Sequence, residues 1–180
     1  MAAAGLALAP PPRAAVAVAV VAAIVALWPS KAGRWAAGAA GERATARALQ
    51  GIEREGYEVL HDVGLAGRSW NLDHVLLGPA GIVIVESKQW RRPVRVARRH
   101  PRIVDERVGW QVAAVAKLLG GRTDVHGFLC VHGAAVRRRW WTGARWAAVG
   151  DGRHLRRWLR RLPEVPENGQ MARGVFEARR

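Results

Sequence analysis

The eighteen residues NLDHVLLGPAGIVIVESK, Asn71 to Lys88, constrain this chain more than any other stretch. Two apolar runs, Val75–Leu77 and Ile82–Val85, flank Gly78, Pro79 and Gly81, residues suited to a tight turn. Their Val, Ile and Leu content is that of a buried strand, so the stretch is expected to fold as a hairpin within a sheet. Charge falls where such a hairpin has its open end. Asp73 heads the first run, and Glu86 and Lys88 close the second.

Side chains alternate across a strand, so Glu86 and Lys88 share one face, while Asp73 shares a face with Val75 and not with His74. If the strands pair through the turn, Asp73 and Glu86 approach one another. Two carboxylates that close repel unless a cation lies between them. Mg²⁺ suits the pair, because it takes hard oxygen ligands, keeps several waters and leaves room for a phosphate oxygen. Lys88 could then orient an attacking water and offset charge building on the phosphate.

At 180 residues the chain fits one domain with a sizeable core, and a hydrophobic fraction of 50% excludes a disordered chain. The net charge of +15 points to a polyanionic partner, either nucleic acid or an anionic membrane surface. Such charge supplies salt-sensitive affinity without sequence preference. The single cysteine, Cys130, excludes an intrachain disulfide framework and a Cys-based zinc site. Its apolar neighbours, Phe128 to Val131, read as a buried segment.

Residues 1–34 differ from the rest: Pro10–Pro12 and Arg13 precede an uncharged run, Ala14 to Trp28, ended by Pro29. A membrane anchor over residues 14–30, a signal peptide and an N-terminal extension all compete for this segment. The anchor is favoured, because the early charge is a single Arg13 and Trp28-Pro29-Ser30-Lys31 is a poor cleavage site. Lys31 and Arg34 after the run would keep the remainder in the cytoplasm, at the cell membrane; the alternative location is the cytoplasm itself.

Residues 35–162 read as the folded domain, and 163–180 as a C-terminal tail. A helix is expected over Ala36–Glu55, with Ala44, Ala48, Leu49 and Ile52 at helical spacing. Strands are expected over Tyr57–Val63, Trp70–Leu77, Ile82–Glu86, Pro93–Ala97, Gly127–Val131 and Trp146–Val149. Asp105 reads as the N-cap of a helix over Glu106–Leu119 that turns Val108, Val112, Val115 and Leu119 to the core. Arg153–Leu162 reads as a second amphipathic helix with Leu155, Trp158, Leu159 and Leu162 inward. This order gives an α/β fold with a mixed central sheet flanked by helices, preceded by the N-terminal hydrophobic helix.

Gly41-Glu42 opening a helix, then Asn71-Leu72-Asp73-His74-Val75, then Gly81 to Val85 leading into Glu86-Ser87-Lys88, resembles the nuclease-related (NERD) domain. That family belongs to the PD-(D/E)xK nuclease superfamily, and the resemblance covers about residues 38–160. It implies a restriction-endonuclease-like core and a metal-dependent nuclease acting on DNA, with Mg²⁺ or Mn²⁺. It also implies Asp73 and Glu86 as metal ligands, Lys88 as the catalytic lysine, Glu42 as a contributor from the first helix and Gln111 as a residue holding the site or the substrate. Two departures are Leu72-Asp73 in place of Pro-Asp, and Ser87 where Thr or Ala is common, at a position facing away from the site.

The basic run Arg91, Arg92, Arg95, Arg98 and Arg99 follows the second hairpin strand directly, where a nucleic-acid backbone would pass a metal site. Arg137-Arg138-Arg139-Trp140-Trp141 could stack single-stranded bases or sit at a membrane interface. Trp110, Trp146 and Trp158 read as core, and the six histidines as structural, since the inferred metal prefers oxygen. A binding or scaffold protein on the same fold, without turnover, explains the charge equally well.

Overall fold

The computed structural model describes residues 16–22, 31–65, 67–90, 94–95, 105–121, 124–133, 136–137, 141–144, 147–165 and 176–178. The chain divides into two compact units, Met1–Ala36 and Ala37–Arg180. In the first, residues 16–22 form a short helix, α1. The expected N-terminal hydrophobic helix is not supported at the length a span needs. Seven of its residues are described as helical, and among the described residues no helix is long and apolar enough to cross a membrane.

Helix α2 (Lys31–Leu49) leads into a 3₁₀ turn (Ile52–Glu55), and strands β1 (Glu58–Leu65), β2 (Asn71–Gly78) and β3 (Gly81–Gln89) follow. The expected single helix over 36–55 is broken at Gly51, whose φ of 77° only glycine adopts at ease. Next come β4 (Val94–Arg95), a π-turn (Asp105–Gly109), α3 (Trp110–Leu118) and β5 (Val125–His132). The chain closes with β6 (Val136–Arg137), β7 (Trp141–Ala144), β8 (Ala147–Gly150), α4 (Gly152–Leu159) and β9 (Phe176–Ala178).

Seven strands form one mixed sheet in the order β7-β8-β5-β3-β2-β1-β9, and β4 pairs with β6 separately. The hairpin closes from Gly78↔Gly81 to His74↔Val85 around Pro79 and Ala80. Gly81 has φ 85°, and a Cβ there would collide with the Asp124 carbonyl that accepts the Ile82 N–H at 3.0 Å. Strand β3 is central, antiparallel to β2 and parallel to β5 over Ile82↔Val125 to Gln89↔His132. Its burial from Gly81 to Ser87 is continuous, as expected of a strand covered on both sides.

Each face of the sheet has its own core. On one, Ile82, Ile84, Val75, Leu77, Leu129 and Val131 meet Val108, Val112 and Val115 of the α3 side. On the other, Val83, Val85, Leu76, Phe128 and Cys130 meet Leu49, Ile52 and the Leu155, Trp158 and Leu159 stripe of α4. The cap of α4 is Asp151, whose carboxylate accepts the Arg153 and His154 N–H groups, each at 3.0 Å. Cys130 is fully buried, and burial pushes its thiol up to about 12.

Three expectations change. Asp105 lies inside the π-turn, so α3 starts at Trp110 behind Gly109 without a side-chain cap. Trp110 is exposed, not core, because Val108, Gln111, Val112 and Val115 form the inward face and Trp110, two residues from both Val108 and Val112, falls on the other side of the helix. The segment read as a tail contributes β9, antiparallel to β1 at Val63–Leu65, and the Val165 N–H donates to the Pro79 carbonyl at 2.7 Å.

Candidate functional site

The charged end of the hairpin lies beyond its last register pair, His74↔Val85. There the Ser87 N–H donates to Asp73 Oδ2 at 2.7 Å, so a carboxylate of β2 takes an amide of β3. This bond sets Asp73 beside Glu86. Glu86 is buried, and both of its oxygens are engaged: Oε1 meets the Lys88 ammonium and Oε2 accepts from Gln111 Nε2 at 2.9 Å. Gln111 comes from α3, on the same face of the sheet, and its Oε1 is buried without a protein partner among the described residues.

Burial and the neighbouring Glu86 charge push the Asp73 carboxyl up to about 7; the Ser87 amide and Lys88 oppose that shift, and Glu42 adds to it. Glu42 is exposed on α2. Its position follows from Gly41, where a Cβ would stand only 3.3 Å from the Gln89 backbone nitrogen. Glycine at 41 lets α2 rest on the end of β3. Asp73, Glu86, Lys88, Gln111 and Glu42 are thus gathered by four elements at one end of β3. Arg91, Arg92, Arg98 and Arg99 lie outside the described residues, and Arg95 ends the two-residue strand β4.

Behind the carboxylates runs a buried polar chain that the sequence does not announce. Ser87 Oγ donates to Thr45 Oγ1 at 2.8 Å, and Thr45 Oγ1 lies 2.8 Å from His132 Nε2. His74 Nε2 lies 3.1 Å from Ser87 Oγ, and His74 Nδ1 lies 2.7 Å from His61 Nδ1. Burial, and then His61 and His132, hold the His74 ring down to about 4, so near neutral pH it carries one proton. The directions then agree throughout. His61 Nδ1–H donates to His74, His74 Nε2–H to Ser87, Ser87 to Thr45, and Thr45 to His132.

Ser87 therefore faces away from the carboxylates, as expected, but it is no idle spacer. It binds Asp73 through its amide and α2 through its hydroxyl. Thr45 follows Glu42 by three residues and is fully buried, a polar side chain on the apolar face of α2. That mismatch is the one signal in the sequence that could have marked it.

The donor set suits a small hard cation. Two adjacent carboxylates, one with its proton affinity raised by burial and repulsion, gain from a positive charge between them. Among the described residues no group of three or more His, Cys, Asp or Glu forms a metal cage, so the protein's share would be this pair. A separate open cleft of about 350 Å³, lined by Arg43, Arg47, Gln50, Glu53 and His61 among others, lies between α2 and β1 and does not include the carboxylates.

Two expectations follow from this geometry. Ser87→Ala and Thr45→Val should each cost about 1–3 kcal/mol by stranding a buried partner. Thr45→Ser should restore most of the loss, and the double variant should cost less than the sum, all read by urea unfolding. The second concerns pH. Asp73 binds its proton more tightly folded, at about 7, than at its ordinary 3.8. Its contribution to metal-free stability is therefore full below that ordinary value and is lost as pH rises through about 7. Asp73→Asn should flatten this loss in urea titrations run with EDTA between about pH 5 and pH 8.

Comparison with known proteins adds the family. The nuclease-related domain (NERD) matches residues 37–132, more than half of the chain, over the span from α2 through β5 that carries every residue of the site. No curated protein and no solved structure matches the chain. The chain belongs to the NERD, or nuclease-related, domain family of the PD-(D/E)xK-like nuclease superfamily.

Proposed function

We propose that the chain is a divalent-metal-dependent nuclease that hydrolyses phosphodiester bonds in DNA, with Mg²⁺ or Mn²⁺ held by Asp73 and Glu86. The observation that carries this reading is the meeting of the two carboxylates at the end of β3, with the Ser87 N–H on Asp73, where burial and the Glu86 charge raise Asp73. Mg²⁺ needs only one or two carboxylates besides waters and phosphate oxygens. Such an ion, when bound, supplies Lewis-acid polarisation of the phosphate and a more acidic water. Lys88 shares the face of Glu86 and offers its ammonium to the charge that grows on the phosphate. Gln111 holds the Glu86 carboxylate in place, and Glu42 adds negative charge at the border of the site. The net charge of +15 and the run Arg91, Arg92, Arg95, Arg98, Arg99 after β3 support a DNA backbone lying across this end of the sheet.

The apolar residues 14–28, followed by Lys31 and Arg34, support tethering to the inner face of the membrane. Full-length protein should then sediment with membranes, and a chain lacking residues 1–34 should be soluble and folded. Complete recovery of the full-length chain in the soluble fraction overturns the tether.

The catalytic reading is tested by comparing variants. Lys88→Ala should lower cleavage at least about a hundredfold while DNA binding stays close to native. Glu86→Ala should abolish cleavage and divalent-metal binding, read by calorimetry. Arg98→Ala or Arg99→Ala should weaken binding and make its salt dependence shallower. Full activity of Lys88→Ala removes the assignment. An equal loss of DNA affinity in all four variants favours a non-catalytic nucleic-acid-binding scaffold.

A further inference from the structure

Trp110, the first residue of α3, is 44% exposed. Its indole stands edge-to-face with Trp70, ring centroids 4.4 Å apart and planes at 78°. Trp70 is half-buried and packs against the core on the α3 side of the sheet. In a perpendicular pair of this kind Trp70 covers at most one face of Trp110, and the exposure of Trp110 leaves π-surface open to solvent. A single apolar side chain at a surface is ordinary. An indole braced by a second indole is different, because its orientation is fixed before any ligand arrives.

The pair stands at the candidate site. Trp70 comes three residues before Asp73, and Trp110 directly precedes Gln111, whose amide donates to Glu86 Oε2 at 2.9 Å. Helix α3 thus meets the sheet at two adjacent points, Gln111 on Glu86 and Trp110 on Trp70. Exposed cations lie close by in the chain: Arg107 three residues before Trp110, and Arg68 two residues before Trp70. An exposed aromatic ring in a chain segment that also carries exposed arginines is the combination that binds single strands, whose bases have free π-faces and whose phosphates need cations. A duplex keeps its bases stacked on one another and offers no such face.

We propose that Trp110, braced by Trp70, stacks on an unpaired base of single-stranded DNA at the Asp73–Glu86 end of the sheet, with Arg68 and Arg107 supplying charge for the adjoining phosphates. The stacking itself does not depend on turnover. What it adds to the nuclease reading, and takes from it, is that the strand cleaved is single-stranded where it passes the carboxylates.

The test is a fluorescence-anisotropy titration in EDTA with the full chain, using labelled oligothymidylate, a duplex of equal length and oligouridylate. Trp110→Ala should weaken oligothymidylate binding about tenfold, the loss expected for one stacked base. Trp110→Leu should lose nearly as much, and Trp110→Phe should retain most of the affinity. The duplex should change by less than about twofold, since its phosphate contacts remain. Thermal unfolding of each variant separates a folding defect from lost stacking, and Trp110→Leu keeps the apolar bulk. Native affinity in Trp110→Ala, full affinity in Trp110→Leu, or an equal loss on duplex overturns the proposal. Greater Trp110-dependent affinity for oligouridylate than for oligothymidylate overturns the choice of DNA. A chain that stacks single strands through Trp110 yet cleaves nothing with Mg²⁺ or Mn²⁺ refutes the nuclease reading alone. A chain that cleaves while Trp110→Ala binds normally refutes the stacking alone.

Discussion

The bond from the Ser87 amide to Asp73 is the contact on which the candidate site depends. Like charges do not gather unaided, and Asp73 and Glu86 repel at close range in a partly dry setting. The amide holds one of them, and Gln111 and Lys88 hold the other. Ser87 can serve as the fulcrum because its own hydroxyl is fixed from behind by His74 and Thr45. The order runs from packing to chemistry. A glycine lets α2 come close to β3, a threonine on α2 clasps the serine, and the serine presents its amide to the aspartate.

The polar chain across the second face also carries a cost that the fold must cover. Unpaired polar groups in a core are expensive, so each hydroxyl and ring nitrogen here needs a partner of the right kind. The low proton affinity of His74 is part of that fit, because the neutral ring keeps Nδ1 as an acceptor towards His61 while Nε2–H serves Ser87. The lining behind the carboxylates is thereby rigid in direction as well as in position.

Much of the fold was legible because burial writes itself into local pattern. The hairpin announced itself through two apolar runs and a glycine–proline turn, and α4 through Leu155, Trp158 and Leu159 at helical spacing. Asp73, Glu86 and Lys88 could be singled out because charge at the end of a buried strand needs a reason. Other features were not legible, and each failure has a physical cause. Strand β9 is three residues long, too short to show any periodicity, and exists only by pairing with β1. The π-turn before α3 has no sequence signature, yet it displaces the start of the α-helix from Asp105 to Trp110. The partners of Ser87 and Thr45 come from distant strands and helices, so beyond the polar residue on the apolar face of α2 the sequence does not show what these hydroxyls will face.

The parallel pairing of β3 with β5 divides assembly of this site in time. The hairpin that brings Asp73 to Glu86 closes over a tight turn, so the two carboxylates meet through a local contact. Gln111 and Thr45 arrive only when α3 and α2 dock on the two faces of a sheet whose central pairing spans a long stretch of chain, and such contacts form late. A folding molecule therefore acquires the Asp73–Ser87 and Glu86–Lys88 contacts with the hairpin and the Gln111 and Thr45 contacts later. The site is therefore complete only when both faces of the sheet are covered, and folding of the domain is expected to be cooperative across them.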